Sequence, residues 1–333
     1  MFREPLLKIR NIFESSKILI SGLNLVARTS IFRKKTYDLF LKKTSNIKKN
    51  RTYIFAIEVS SFCNAACVFC PNSFMKRKKS IMTMEIFNKI VERIKEENIR
   101  PQFFNLTGTG EPLVDRELFK KIAILKNNFP EVTVFFPSNF ALADESIIKK
   151  IVSSPLDNIS ISLNASNPRD YRKIMKLDYK RTIDNLKKLI KYRNKVKSKL
   201  KISLTVALSP SNKKSVKTIL KKWGKKVDEI NFNWVHNWAG SVKNGIEESA
   251  SPKYPCRLLF EQIVVQSNGD VPLCCVDYEG KMVGGNIMKD KILDAFYSEN
   301  LNNIRKLHKD NKINQFSMCS KCRFSDRGLY WWL

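Results

Sequence analysis

From residue 52 onward, short runs rich in Val, Ile, Phe and Thr alternate with amphipathic stretches, and this alternation restricts the fold more than any other feature of the chain. The short runs read as strands at 53–59, 102–106, 131–136, 158–163, 200–207 and 228–235. Helical patterns fall between them, near 83–97, 115–128, 144–152, 168–193 and 212–224. Thr83, with Ile86 behind it, and Asp115, followed by Glu117, read as helix starts with polar or acidic side chains in the first turn. Repeated strand–helix units imply parallel strands joined by right-handed crossovers. Six units are too few for a closed (β/α)8 barrel. The expected fold class is therefore α/β, a partial (β/α)6 TIM-like barrel, open on one side, with function at the C-terminal ends of its strands.

The strand ends carry the unusual residues. The first runs into Cys63, Cys67 and Cys70, three cysteines with no nearby histidine. A zinc site normally takes four protein ligands. Three thiolates suit a [4Fe-4S] cube with one iron left open, where chemistry can occur. The second strand leads into Leu106–Pro112, whose Gly108 and Gly110 allow close approach to the backbone and whose Glu111 presents a carboxylate. The third ends at Ser138 and Asn139, the fourth at Ser160–Asn164, and the sixth at Val235–Gly240, which includes His236. Around one cysteine motif, these polar ends read as a binding rim.

A chain of 333 residues can hold one large α/β domain and a small one. The formal net charge of +30 invites a nucleic-acid reading. The basic residues are spread along the whole chain and no nucleic-acid motif accompanies them, so they read as a Lys-rich solvated surface with unspecific, salt-dependent affinity for anions. Residues 1–51 form a basic extension in which Phe2, Leu6, Leu7, Ile9, Ile12 and Phe13 fall near helical spacing. They read as a helix on the main domain, with a peripheral membrane helix as the alternative. The apolar stretch Ile18–Ala27 is too short to span a bilayer and is followed by no signal-peptide cleavage pattern, so the expected location is the cytoplasm. In that compartment eight cysteines read as ligands or reactive thiols rather than disulfides. None lies between Cys70 and Cys256, which suggests two separate sites.

Cys63-x3-Cys67-x2-Cys70 after a first strand, with Phe69 before the third cysteine, resembles the signature of the radical SAM enzymes. Gly110-Glu111-Pro112 is similar to the family's GGEP motif, with Thr109 where its first glycine usually stands. The resemblance covers roughly residues 52–325. It implies that the amino and carboxylate groups of S-adenosylmethionine (SAM) chelate the open iron of the cluster held by Cys63, Cys67 and Cys70. It further implies that Gly108, Gly110, Glu111, Ser138, Asn139, Ser162 and Asn164 bind that cofactor, the Gly110–Glu111 region receiving its ammonium. Reductive cleavage then gives methionine and a 5′-deoxyadenosyl radical, with a flavodoxin- or ferredoxin-type protein as electron donor.

The second cysteine group also has a pattern. Asn268-Gly269-Asp270 reads as a hairpin turn between Gln262–Gln266 and Val271–Cys274. With a helix near 290–306 and a terminal Cys319-x2-Cys322, residues 246–333 resemble the shortened "twitch" form of the SPASM domain, leaving 52–245 as the radical SAM core. That resemblance implies one auxiliary [4Fe-4S] cluster on Cys256, Cys274, Cys319 and Cys322, although four cysteines ending in Cys-x2-Cys also fit structural zinc. The ligand spacing is similar to that of radical SAM dehydrogenases acting on 2-deoxy-scyllo-inosamine, which implies oxidation of a sugar or cyclitol alcohol with the auxiliary cluster as electron acceptor. His236 and Asp277 are then candidate bases and Cys275 a candidate hydrogen donor. Sugar epimerisation using Cys275, and modification of a small peptide, are the alternatives.

Overall fold

The protein's structure, a computed structural model, describes residues 52–243 and 256–322. The basic extension 1–51 and the terminal Tyr330–Leu333 lie outside the described residues. Seven parallel strands form one sheet: β1 (Thr52–Ile57), β2 (Arg100–Asn105), β3 (Thr133–Ser138), β4 (Asn158–Ser162), β5 (Lys201–Leu208), β6 (Glu229–Trp234) and β7 (Gln262–Val265). Their spatial order is β6-β5-β4-β3-β2-β1-β7. The sheet does not close, so the fold is the expected partial barrel, extended by a seventh strand. Among the described residues no helix is long and apolar enough to cross a membrane.

The crossover helices are α1 (Met84–Glu96), α2 (Leu118–Asn128), α3 (Glu145–Ser153), α4 (Pro168–Met175), α5 (Tyr179–Lys195) and α6 (Ser215–Trp223). Local chemistry sets their starts. Thr83 Oγ1 accepts from Ile86 N at 3.2 Å and Asp144 Oδ1 from Ile147 N at 2.8 Å, each satisfying an otherwise orphaned amide. Phe87, Ile90 and Ile94 of α1 then pack with Phe55, Ile57, Phe104, Val134, Ile159 and Ile161 in the core between helices and sheet. Along β4 the alternate residues Asn158, Ser160 and Ser162 are only half-buried, so the face opposite that core is polar.

Three sequence expectations change in detail. The helix expected near 290–306 is two, Ile292–Phe296 and Glu299–Lys309. The helix expected over 168–193 is two helices, because Lys176 adopts a left-handed conformation (φ 59°) and Asp178 Oδ1 starts α5 by accepting from Arg181 N at 2.9 Å. The break leaves Met175 against Cys67. The third change concerns the hairpin. Its turn forms, with Gly269 at φ +90° and Gly269 N donating to Gln266 O at 2.8 Å. Its arms, however, enter different sheets. β7 pairs in parallel with β1, supplying partners for an otherwise bare edge. β8 (Asp270–Pro272) pairs antiparallel with β9 (Val283–Asn286). The rest of this region contains α7 (Leu258–Glu261), α8 (Ile292–Phe296), α9 (Glu299–Lys309) and α10 (Ser317–Ser320).

Candidate iron-sulfur active site

The loop after β1 carries Cys63, Cys67 and Cys70, all half-buried. Cys70 N donates to Cys67 O at 3.0 Å and Ala65 N to Cys63 Sγ at 3.4 Å, which fixes the loop's turns. Burial pushes the Cys63 thiol up to about 11 and raises Cys67 and Cys70 as well. Cys67 is raised further by the nearby Cys70 and Cys63, so the three thiols share one electrostatic environment. Such thiols become thiolates only when a cation takes their protons' place. Among the described residues no three His, Cys, Asp or Glu side chains are drawn together closely enough to hold a single metal ion. Three thiolate donors suit a four-iron cube that leaves one corner for a small ligand.

The Gly-rich loop after β2 packs directly on this cysteine loop. A Cβ at Gly110 would sit 2.1 Å from Ser60 O, so only glycine permits the approach. Glu111 N donates to Phe62 O at 2.8 Å. The Glu111 carboxylate, fully enclosed, accepts from Ser138 Oγ at 2.7 Å, Asn139 N at 2.8 Å and Leu113 N at 3.2 Å. It thereby ties the β2 and β3 ends together, and burial raises its carboxyl despite these donors. Glu111→Gln replaces one acceptor oxygen with a donor facing donors. The expected loss is about 1–3 kcal/mol in chemical unfolding, read as a lower denaturant midpoint at unchanged slope.

The other expected cofactor residues divide between two places. Asn139 Nδ2 donates to Asn64 Oδ1 at 2.8 Å and lies 4.0 Å from Cys63 Sγ, so the end of β3 meets the cysteine loop. Asn164 is engaged further round, with Oδ1 accepting from Ala207 N at 2.7 Å and Nδ2 2.8 Å from the Met175 sulfur. Ser162 stands half-buried at the end of β4, in register with Thr205. Two residues not anticipated from sequence also support the loop. Asn72 Nδ2 donates to Ser61 O at 2.8 Å and Thr109 O at 2.9 Å, and Lys79 Nζ donates to Asn72 Oδ1 at 2.9 Å. The Lys79 charge opposes the upward shift of both Cys63 and Cys70. No local spacing rule would have marked either residue.

The loop after β6 bridges to the second cysteine group. His236 packs at a tilt against Trp238, with ring centroids 4.3 Å apart, and its Nδ1 accepts from Trp238 N at 3.3 Å. Trp238 Nε1 donates to Phe69 O at 2.9 Å, while Asn237 Nδ2 donates to Lys321 O at 2.7 Å. His236 thus lies between the first cysteine loop and the terminal Cys-x2-Cys. Asp277 is committed differently, its two oxygens accepting from Lys281 N at 2.9 Å and Met282 N at 2.8 Å, which closes a turn.

Cys256, Cys274, Cys319 and Cys322 converge with Cys275. Burial raises the Cys274 thiol well above the usual range, and Cys275, Cys319, Cys322 and Cys256 each add to the shift. Cys256 and Cys275 are both pushed up to about 12 by burial, with Cys322 a further contributor to each. The surroundings are apolar: Leu259, Phe260, Leu273, Leu301, Ile304, Ile313 and Cys319 form a small core, against which Cys256 and Cys274 pack. Several thiols gathered in an apolar pocket fit an iron-sulfur cluster, whose thiolates need no other anion nearby.

The Radical SAM superfamily pattern matches residues 57–222. The chain is a radical SAM enzyme. The SPASM pattern, an iron-sulfur cluster-binding domain, matches residues 256–323 of the same enzyme. The S-adenosyl-L-methionine-dependent 2-deoxy-scyllo-inosamine dehydrogenase of Niallia circulans is 20% identical over 267 residues, spanning 80% of this chain and 90% of that one. Among solved structures, BtrN in complex with AdoMet and 2-DOIA aligns with TM-score 0.59 and 19% identity over 82% of this enzyme and 94% of that chain. Streptococcus suis SuiB bound to the precursor peptide SuiA aligns with TM-score 0.63 and 15% identity, over 88% and 78%. The two domains imply a SAM-binding [4Fe-4S] cluster and an auxiliary cluster in this radical SAM enzyme.

Proposed function

We propose that this enzyme oxidises a hydroxyl of a sugar or cyclitol and passes the substrate electron to an auxiliary [4Fe-4S] cluster. In this reading Cys63, Cys67 and Cys70 hold the SAM-binding cluster, and Gly108, Gly110, Glu111, Ser138, Asn139, Ser162 and Asn164 shape the SAM site. Cys256, Cys274, Cys319 and Cys322 hold the second cluster. When bound, the first cluster and SAM supply a 5′-deoxyadenosyl radical that removes a carbon-bound hydrogen. The observation carrying the proposal is the convergence of the distant cysteines on one apolar site, because alcohol oxidation needs an acceptor for the second electron. Similarity along most of the chain to a cyclitol dehydrogenase points the same way.

His236 is the preferred base for the hydroxyl proton, since it sits between the two cysteine regions and its Nδ1 can take the proton by releasing the long bond from Trp238 N at 3.3 Å, whereas both Asp277 oxygens accept amides that close a turn. Glu111 and Asn139 position the cysteine loop. A flavodoxin- or ferredoxin-type donor fits a chain of net charge +30, because such carriers dock through complementary charge. An oxygen-sensitive cluster fits a cytoplasmic location.

Anaerobic turnover with SAM, a reductant and a panel of sugars and cyclitols tests it. The expected result is one carbonyl product per 5′-deoxyadenosine, with no solvent deuterium at carbon in deuterated water. Deuterium incorporation that disappears in Cys275→Ala would replace this reading with epimerisation, for which Cys275, beside Cys274, is the candidate hydrogen donor. A mass change confined to a small peptide would replace it with the peptide reading, which the fold shared with peptide-bound SuiB favours.

A further inference from the structure

One buried polar side chain beside the second cysteine group is not used by the proposed chemistry. His308 lies on α9 in the stripe Leu301, Ile304, Arg305 and His308, the buried face of that helix. Leu301 and Ile304 of that stripe pack in the core that contains Cys319 and contacts Cys256 and Cys274. His308 is only 2% exposed. Its Nδ1 accepts from Cys256 N at 3.1 Å. A neutral imidazole that accepts at Nδ1 carries its proton on Nε2. That Nε2 is buried and has no hydrogen-bond partner among the described residues.

An orphaned buried donor is costly, so native structures rarely tolerate one. At this place an acceptor belongs to the site itself, because a cluster brings sulfides and thiolates into a pocket lined mainly by hydrocarbon. We propose that His308 Nε2–H donates a hydrogen bond to a sulfur of the auxiliary cluster and raises its reduction potential. His308 is then a positioning residue with two functions. Nδ1 holds the backbone of Cys256, and Nε2 stabilises the extra negative charge of the reduced cluster. This rests on Cys256, Cys274, Cys319 and Cys322 being the ligands, and it deepens the proposed acceptor role by making that cluster easier to reduce.

Two variants separate the ring nitrogens. His308→Asn keeps an acceptor at the Nδ1 position and has nothing at Nε2. His308→Gln places an amide donor near Nε2 and gives up the Nδ1 bond. Each is prepared anaerobically in the full chain carrying Cys63→Ala, Cys67→Ala and Cys70→Ala, so that only the auxiliary cluster is present. The readouts are iron content and an EPR-monitored potential titration. In His308→Asn the reduction equilibrium is expected to fall about tenfold, equivalent to a midpoint lower by about 59 mV for one electron. His308→Gln should stay within about threefold of the parent, a shift of about 28 mV or less.

Equal potentials in all three proteins overturn the inference, as does a fall in Gln without one in Asn. Pulsed EPR on protein labelled with 15N-histidine adds a second measurement, made in the parent and in His308→Asn so that a coupling lost in the variant is assigned to His308 rather than His236. A weak nitrogen coupling to the reduced cluster that is lost in the variant supports the hydrogen bond. A strong coupling means direct ligation by histidine and overturns the donor role, and no coupling, or one that persists in His308→Asn, overturns it too. Absence of iron from the parent triple variant would instead count against the ligand set, which keeps the two failures distinct.

Discussion

Cys67→Ala should reduce 5′-deoxyadenosine formation to the uncatalysed background and lower the iron content from about eight to about four per chain. Cys67 is the middle thiol of the loop, and both of its neighbours raise it electrostatically. Its sulfur also meets Met175 at 3.5 Å, where the break between α4 and α5 brings that side chain inward. Without it two thiols remain, and a cube would keep two irons bare, which neither Asn139 nor Glu111 can cover because their side chains are already engaged. The fold should survive, since the side chain is half-buried and Val68 N still donates to Ile174 O at 3.0 Å. Cys274→Ala is the informative contrast. It should also leave about four irons, but SAM cleavage should persist while the carbonyl product is lost. Anaerobic iron and sulfide analysis beside product chromatography reads both. About eight irons retained in Cys67→Ala would remove this loop from cluster binding.

The cysteine loop and the six βα units could be read in the sequence because each depends on local pattern: ligand spacing in one case, alternation of hydrophobic period in the other. What could not be read depends on distant partners. The run Gln262–Val265 looks the same whether it pairs with the strand after its turn or with β1, and the open edge of β1 decides. Lys176 is neither Gly nor Pro, so nothing local marks the left-handed residue that divides one long helical pattern into two. Glu111 is visible as a motif residue, yet its carboxylate is bonded to Ser138 and Asn139. Pro112 was the only hint, since a short 3-10 turn begins there and Glu111 caps it through Leu113 N. Asp277 is similar: Gly280, three residues on, was the available sign that its carboxylate closes a turn. His308 carries no sequence signal, because its meaning comes from an amide 52 residues away.

A large stability loss is expected at a buried ion pair that joins the regions around the two cysteine groups. Arg77 Nη2 donates to Glu58 Oε1 at 2.9 Å and Oε2 at 2.8 Å, and the two side chains are 8% and 3% exposed. Glu58 follows β1 and also accepts from Thr109 N at 3.3 Å and Ser267 N at 3.2 Å. A Cβ at Gly108 would collide with the Glu58 side chain at 2.3 Å, so that glycine makes room for the carboxylate. Arg77 Nε donates to Tyr278 O at 2.8 Å, and Arg77 N reaches Glu279 Oε2 at 2.7 Å. One carboxylate and one guanidinium therefore connect the cysteine loop, the Gly-rich loop, the end of β7 and the segment after Cys275. Arg77→Met leaves the Glu58 charge buried without its cation, which costs about 3–5 kcal/mol. Adding Glu58→Gln to Arg77→Met removes the stranded charge and should recover part of that loss, because the partners are coupled rather than additive, while the Gln amide group now faces Thr109 N or Ser267 N. Denaturant midpoints of the two variants and the parent measure this directly. Hydrogen exchange at residues 107–110 and 266–279 should accelerate in Arg77→Met, since local opening follows the loss of buried contacts. An Arg77→Met midpoint within about 0.5 kcal/mol of the parent would show that the pair contributes no more than surface residues do.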